Sequence, residues 1–169
     1  VTLTVSEVND APIANPDTFS IAEDGVINEI APGVLINDID VENDALTVTL
    51  VDDVSNGTLT LNADGSFDYT PDPDFNGTDT FTYHASDAQD SNVTTVTIDV
   101  TAVNDPVTAV ADAYAVNEDQ VLTVNVADGV LTNDQDVDTP TNALTATVTT
   151  PPASGVLNLA ADGSFVYTP

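Results

Sequence analysis

Residues 38–44 read Asp-Ile-Asp-Val-Glu-Asn-Asp, so Asp38, Asp40, Glu42 and Asp44 put four carboxylates into seven consecutive residues. Two carboxylates ~5 Å apart repel by ~0.8 kcal/mol in bulk water and by ~3 kcal/mol at an effective dielectric of 20. The usual remedy is a basic neighbour, and the 169-residue chain contains no Lys or Arg, 29 Asp plus Glu and one His, for a formal charge of −29. The four acids must therefore splay apart, titrate upward or share a cation. A hard divalent ion is the fitting partner, because calcium takes six to eight oxygens from carboxylates, amides and backbone carbonyls. The spacing is not that of an EF-hand, since the required Gly and the terminal Glu are missing. The plain alternative is a solvated loop whose Asn and Asp residues only turn the chain. Recurrence of the acids along the chain and the lack of any basic partner favour the metal.

That recurrence is part of a long internal repeat, the signature of a tandem array. Val8-Asn9-Asp10 returns 95 positions later as Val103-Asn104-Asp105, and Glu23-Asp24 returns as Glu118-Asp119 at the same offset. Gly33-Val34-Leu35 returns as Gly129-Val130-Leu131, and Asp38 and Asp40 as Asp134 and Asp136, at 96. Ala63 to Phe67 returns as Ala161 to Phe165 at 98. The drift marks three inserted residues, two of them beside Pro140, in a segment that reads as a loop. The organisation expected is the last strand of a preceding repeat over 1–8, a complete repeat over 9–103, and a second repeat over 104–169 truncated before its last two strands. The strand-like run Val1 to Val5 at the very start reads as a cut from a longer protein.

These loops must hang on strands. Period-two alternation, bounded by Asp, Asn, Gly and Pro, predicts strands over Thr18–Ile21, Val26–Ile30, Ala45–Val51, Gly57–Leu61, Ser66–Thr70, Thr78–Ser86 and Val93–Thr101. Leu59 and Leu61, the turn Asn62 to Gly65, then Phe67 and Tyr69 make a hairpin with Gly where a positive φ is wanted. Phe81, Tyr83 and Ala85 face one way along their strand, and Thr82, His84 and Ser86 the other. Seven short strands in a repeat of this size, with no helical period, predict an all-β fold of tandem immunoglobulin- or cadherin-like β-sandwiches. No Cys…Trp…Cys pattern is present. The Greek-key strand order follows from the class.

Composition removes several partners. Nucleic acid and anionic lipid surfaces both need Lys and Arg, so neither is expected. No apolar run reaches the length of a membrane span, so no membrane insertion is expected. With no Cys there is no disulfide framework, and a divalent metal is the remaining staple for an extracellular domain. The 41% apolar content, rich in Val, Leu, Ile and accompanied by Thr, argues for a folded chain despite its charge.

Val8-Asn9-Asp10-Ala11-Pro12, Glu23-Asp24, the acidic loop from Asn37 to Asp44, the run Leu61 to Pro71 and Ser86-Asp87 together resemble the bacterial cadherin-like repeats of large secreted adhesins. The resemblance covers essentially the whole chain. It implies calcium held where modules meet, with the linker, the Asp-x-Asp loop and an Asp after the sixth strand converging at one end of a module. A Glu from the preceding module completes such a site. Carried over by position, one junction uses Asn9, Asp10, Asp38, Asp40 and Asp87. The next uses Glu23 with Asn104, Asp105, Asp134 and Asp136, and Asp72 and Asp74 are further candidates for it. The expected partners are neighbouring repeats of the same chain.

Other chemistry is thinly supported. There is no Gly-x-Ser-x-Gly elbow for a Ser nucleophile, acids this numerous carry no selectivity for a glycosidase pair, and no catalytic residue is assigned. His84 reads as a surface histidine. Asn56-Gly57-Thr58, Asn76-Gly77-Thr78 and Asn92-Val93-Thr94 fit glycosylation acceptors but read as ordinary turns and strand edges. The function expected is a calcium-stiffened extracellular or cell-surface spacer projecting a distal domain. The alternatives are a filament subunit that exchanges strands with like subunits, and a carbohydrate- or protein-binding module with Phe75 as its loop aromatic.

Overall fold

The computed structural model describes residues 1–4, 8–139 and 143–169. It divides into two compact units, Val1–Val103 and Asn104–Pro169.

The first unit holds seven strands: β1 (Asp17–Ala22), β2 (Ile27–Glu29), β3 (Thr47–Asp52), β4 (Gly57–Leu61), β5 (Phe67–Pro71), β6 (Gly77–Ser86) and β7 (Thr94–Thr101). Each falls on a segment whose alternation predicts it, with ends within two residues. They form two sheets, ordered β1-β7-β6-β3 and β2-β5-β4. β1 runs parallel to β7, with Asp17 opposite Val96 and Ala22 opposite Thr101. The other pairs are antiparallel. The chain changes sheet after β1, β2, β3 and β5, which is the Greek-key order of the class.

Alternation decides what lies between the sheets. Phe67 and Tyr69 from one sheet, with Phe81, Tyr83, Val96 and Ile98 from the other, are all under 2% exposed. Burying each such side chain is worth roughly 1.5–3 kcal/mol. The Phe67 ring stands edge-on to Phe19 at 4.9 Å and to Phe81 at 5.6 Å. Val34 closes one end from a short 3-10 turn, Gly33–Leu35. That turn is tied to the β4–β5 hairpin by Val34 N donating to Gly65 O at 3.0 Å. Both glycines hold positive φ, +52° at Gly33 and +84° at Gly65, as the hairpin turn requires at the latter.

Only part of the run Val1 to Val5 falls among the described residues. Residues 1–4 are exposed and carry no strand, and Val5, Ser6 and Glu7 lie outside the described residues.

The second unit holds β8 (Leu122–Val124), β9 (Val156–Leu159) and β10 (Phe165–Thr168), ordered β8-β10-β9. This sheet repeats β2-β5-β4 strand for strand. Tyr114 and Phe165 repeat the edge-on pair at 4.8 Å. Tyr167 donates to Ser154 O at 3.0 Å, where Tyr69 meets Asn56 O at 3.4 Å. Residues 112–117, which correspond to β1, form no strand. β1 is held by β7, and residues 104–169 contain no segment matching β7. The insertion beside Pro140 falls outside the described residues.

Candidate metal centre

The acidic loop of the first unit is fastened at its start. Ile13 and Ile39 exchange two backbone hydrogen bonds, at 2.8 and 3.0 Å, so the segment before β1 holds the loop in place. Asn43 takes a positive φ of 58°, a conformation Asn tolerates. The turn lets Asp44 N donate to Asp40 Oδ1 at 2.8 Å. Asp87 follows directly on the end of β6. One carboxylate oxygen from each of Asp40, Asp44 and Asp87 then lies within 4.8 Å of the others. Two oxygens on opposite sides of one calcium, each ~2.4 Å from it, would be ~4.8 Å apart, so the three can share a single ion.

The hydrogen bonding around these acids is incomplete in the way a cation would remedy. Asp40 Oδ2 and Asp87 Oδ2 are shielded from solvent and meet no donor in hydrogen-bonding geometry. A shielded, unmatched carboxylate oxygen is costly unless a positive charge faces it. Gln89 N, donating at 2.9 Å to Asp87 Oδ1, holds the Asp87 carboxyl below its usual range. The Asn9 amide beside it acts in the same direction, although its alignment falls short of a full hydrogen bond. Gln89 Nε2 in turn donates to Asn9 O at 2.6 Å. Asp10 N donates to Glu42 Oε2 at 3.3 Å, which draws Glu42 to the entry segment. An all-oxygen set of this kind suits calcium or magnesium rather than a soft metal.

Asp38 is placed differently. Its Oδ1 accepts from Asn15 N at 2.8 Å, and its Oδ2 accepts from the Tyr83 hydroxyl at 3.0 Å. Burial pushes its carboxyl up, and those two donors only partly oppose the shift. Asp17 shares the same hydroxyl at 3.5 Å. Burial and the neighbouring Asp38 charge push Asp17 up to about 6, against the pull of Tyr83 and Asn37. Asp38 is thus the start of the loop that faces the sandwich, while Asp40 and Asp44 face the cluster.

Glu23 lies at the opposite end of the unit, just after β1, and is 3% exposed. Its Oε1 accepts from Val103 N at 2.5 Å and its Oε2 from Asn76 Nδ2 at 3.3 Å, so it braces the chain where it leaves β7.

The second unit repeats the loop. Thr108 and Gln135 exchange backbone hydrogen bonds at 2.7 and 3.0 Å, as Ile13 and Ile39 do. Asp134 is 8% exposed and accepts from Val110 N at 2.8 Å, which is the Asn15–Asp38 contact again. Asp136 Oδ1 accepts from Asp138 N at 2.9 Å and Thr139 N at 2.6 Å. Asp105 N donates to Asp138 Oδ2 at 2.6 Å, repeating the Asp10–Glu42 contact. Asn104 is exposed, and its side chain donates to Asp105 O at 3.0 Å. Asp134 therefore repeats the backbone contact of Asp38, and Asp136, like Asp40, accepts from amides of its own loop.

Two residues stand out beyond those assigned to a junction by position. Asp44 completes the cluster from within the acidic run. Asp79 is a buried acid on the core face of β6, 3% exposed. Burial would push its carboxyl up. Ser55 N, Asn56 N, Thr80 N and the Tyr69 hydroxyl, at 2.9–3.0 Å, outweigh that and hold it below the usual range. The inward phase of Phe81, Tyr83 and Ala85 reaches Asp79, and that was its signal. Phe75, expected as a loop aromatic, instead packs against the core. His84 is half-buried on the outer face of β6, its Nδ1 3.4 Å from Asp90 Oδ1.

Among the described residues no helix is long and apolar enough to cross a membrane. No curated protein matches the chain. Human protocadherin-24 EC1-2 aligns at 16% identity and a TM-score of 0.61, over 95% of this chain and 78% of that one. Drosophila N-cadherin EC1-4 aligns at 18% identity and a TM-score of 0.51, over 91% of this chain and 39% of that one. Both likenesses are of fold. An endo-fucoidan hydrolase of glycoside hydrolase family 107, MfFcnA4 H294Q, aligns at 21% identity and a TM-score of 0.45, over 94% of this chain. The chain spans 24% of that enzyme's length and 17% of the related MfFcnA9. The model of the bacterial cadherin-like domain matches twice in succession, over residues 9–102 and 104–169, and this chain belongs to that family.

Proposed function

We propose that the chain is a calcium-stiffened spacer of a large extracellular or cell-surface protein, whose modules project a distal domain and so serve adhesion indirectly. The observation that carries this reading is the convergence of Asp40, Asp44 and Asp87 in a chain without Lys or Arg. Asp40, Asp44 and Asp87 would hold the ion, with the side chain of Asn9 and the carboxylate of Glu42 nearby. When bound, calcium supplies the positive charge that the polypeptide lacks. Between them, Asp40 and Asp87 join the 38–44 loop to the end of β6, so filling the cluster ties together segments that otherwise repel. In the second unit Asp136 occupies the loop position of Asp40, which supports a corresponding site in that module. Stiffening the connections to neighbouring repeats is then the functional product.

Calcium titration followed by thermal melting and small-angle scattering tests this. Melting temperature should rise with calcium at roughly 0.1–1 mM, the range of extracellular modules, and the scattering should report a narrower distribution of lengths. Identical melting and scattering with calcium and with chelator would defeat it.

A further inference from the structure

Six of the eight glycines follow an Asp or an Asn. In such pairs the glycine backbone nitrogen can attack the preceding side-chain carbonyl carbon, provided the two residues are free to bring those atoms together. Four pairs are restrained. The amides of Gly25, Gly65, Gly129 and Gly163 already donate to Ala22, Asn62, Val126 and Ala160 carbonyls, at 2.8, 3.0, 3.2 and 3.0 Å. The fifth, Asn56-Gly57, is locked by its neighbours. Asn56 N donates to Asp79 Oδ2 at 2.9 Å and Asn56 O accepts from Asp72 N at 2.9 Å. Gly57 is packed so closely that a Cβ there would stand 2.6 Å from Thr70 O.

Asn76-Gly77 carries neither the turn hydrogen bond nor the crowding, and Gly77 pairs with Val100 only as the end rung of the β6–β7 ladder. Both residues are exposed, at the very start of β6. Gly77 has a φ of +135°, and a Cβ built there would meet nothing nearer than the Phe75 ring at 3.7 Å. The Asn76 side-chain nitrogen is the atom that donates to Glu23 Oε2 at 3.3 Å.

We infer that Asn76-Gly77 is a site of intrinsic, enzyme-free deamidation in the folded protein. The Gly77 nitrogen forms a bond to Asn76 Cγ, the Cγ–Nδ2 bond breaks, and ammonia leaves carrying the former Gly77 amide proton. Water then opens the five-membered succinimide at either carbonyl, giving aspartate or isoaspartate and one new carboxylate. The contact with Glu23 changes sign, from an amide donor to a second negative charge beside a carboxylate that braces the exit of β7. With time the module gains charge beside Glu23, where the Asn76 side-chain amide donates.

Folded protein and urea-unfolded protein are aged in parallel at mildly alkaline pH, then cut with an acid-specific protease, since no Lys or Arg is available. Mass spectrometry follows the amide-to-acid mass gain, and chromatography separates the isoaspartyl peptide. In the folded protein Asn76 should convert about tenfold faster than Asn56, the effect of a modest loss of near-attack geometry at the latter, whereas the two should converge when unfolded. Asn76→Gln should abolish the early product. Equal conversion of Asn56 and Asn76 in the folded protein overturns the inference, and so does an intact Asn76 when folded beside rapid conversion when unfolded.

Discussion

The hydroxyl of Tyr69 on β5 donates to Asp79 Oδ2 on β6 across 3.0 Å, joining the two sheets by a polar contact inside an otherwise apolar core. Burial and the Asp79 charge push the Tyr69 phenol up, so the proton stays on the tyrosine. Asp79→Ala should cost about 3–5 kcal/mol, because it leaves two backbone amides of the 55–56 turn and one phenol buried without an acceptor. Tyr69→Phe should cost only ~1–1.5 kcal/mol. Urea unfolding of both variants measures the difference. The folded Asp79 pKa lies below its unfolded value of 3.8. Its contribution is therefore present above that value and lost as pH falls through the folded one. Asp79→Asn should flatten the acid limb of the stability profile.

Asp17 should behave in the opposite sense. Its folded pKa of about 6 stands above the unfolded 3.8, so between those values the native state holds the extra proton. In calcium-free buffer, stability should rise as pH is lowered from above 6 toward 3.8. Asp17→Asn should remove this dependence and add about 1 kcal/mol at neutral pH, after allowance for solvent screening. An unchanged slope in the variant would contradict burial beside the Asp38 charge as its source.

At free calcium tenfold above the dissociation constant, one site adds ~1.4 kcal/mol. For a domain this size that is a rise of several degrees in melting temperature. Asp40→Asn and Asp87→Asn should each remove most of that rise. Asp40→Asn should leave the calcium-free melting point nearly unchanged or higher, since a repelling charge is gone. Asp87→Asn should leave it unchanged or slightly lower, since Gln89 N favours the Asp87 carboxylate. Asp64→Asn is the control. Asp64 is exposed, and its carboxylate is occupied with Ser66 in the hairpin turn, where the hydroxyl holds it below its usual range.

The glycine pair at Gly33 and Gly65 should tolerate no side chain. A Cβ at Gly33 would fall 1.9 Å from Gly65 O, and one at Gly65 would fall 2.1 Å from Pro32 O. Both residues also hold positive φ. Either residue changed to Ala should cost about 2 kcal/mol or more, by backbone displacement and strain together. Denaturant melts of the two single variants measure it. Gly77→Ala, with open space around it, meets the strain without the collision and should cost less.

How much of this was legible differs from residue to residue. The strands of the first unit were, because Phe67, Tyr69, Phe81 and Tyr83 alternate with polar residues and one face must be dry. The same alternation reaches Asp79, yet no spacing shows that the amides of residues 55 and 56 would arrive beside it. That acids of the loop would gather was legible, but the division of labour within it was not. Asp38 and Asp40 are two residues apart. What turns the first toward the sandwich is Asn15 N and the Tyr83 hydroxyl, 23 and 45 residues away in sequence. Asp44 joins the cluster because its own amide bonds Asp40 Oδ1, a consequence of the positive φ at Asn43.

The parallel pairing of β1 with β7 also decides how the first unit answers to tension. The chain enters β1 at its amino end, beside the acidic loop, and leaves β7 at its carboxyl end, beside Glu23. A pull on entry and exit drags the two strands in opposite directions along their length. The rungs between Asp17–Ala22 and Val96–Thr101 are then loaded all at once in shear, not peeled one after another. A tether assembled from such units resists stretching until a whole ladder gives way.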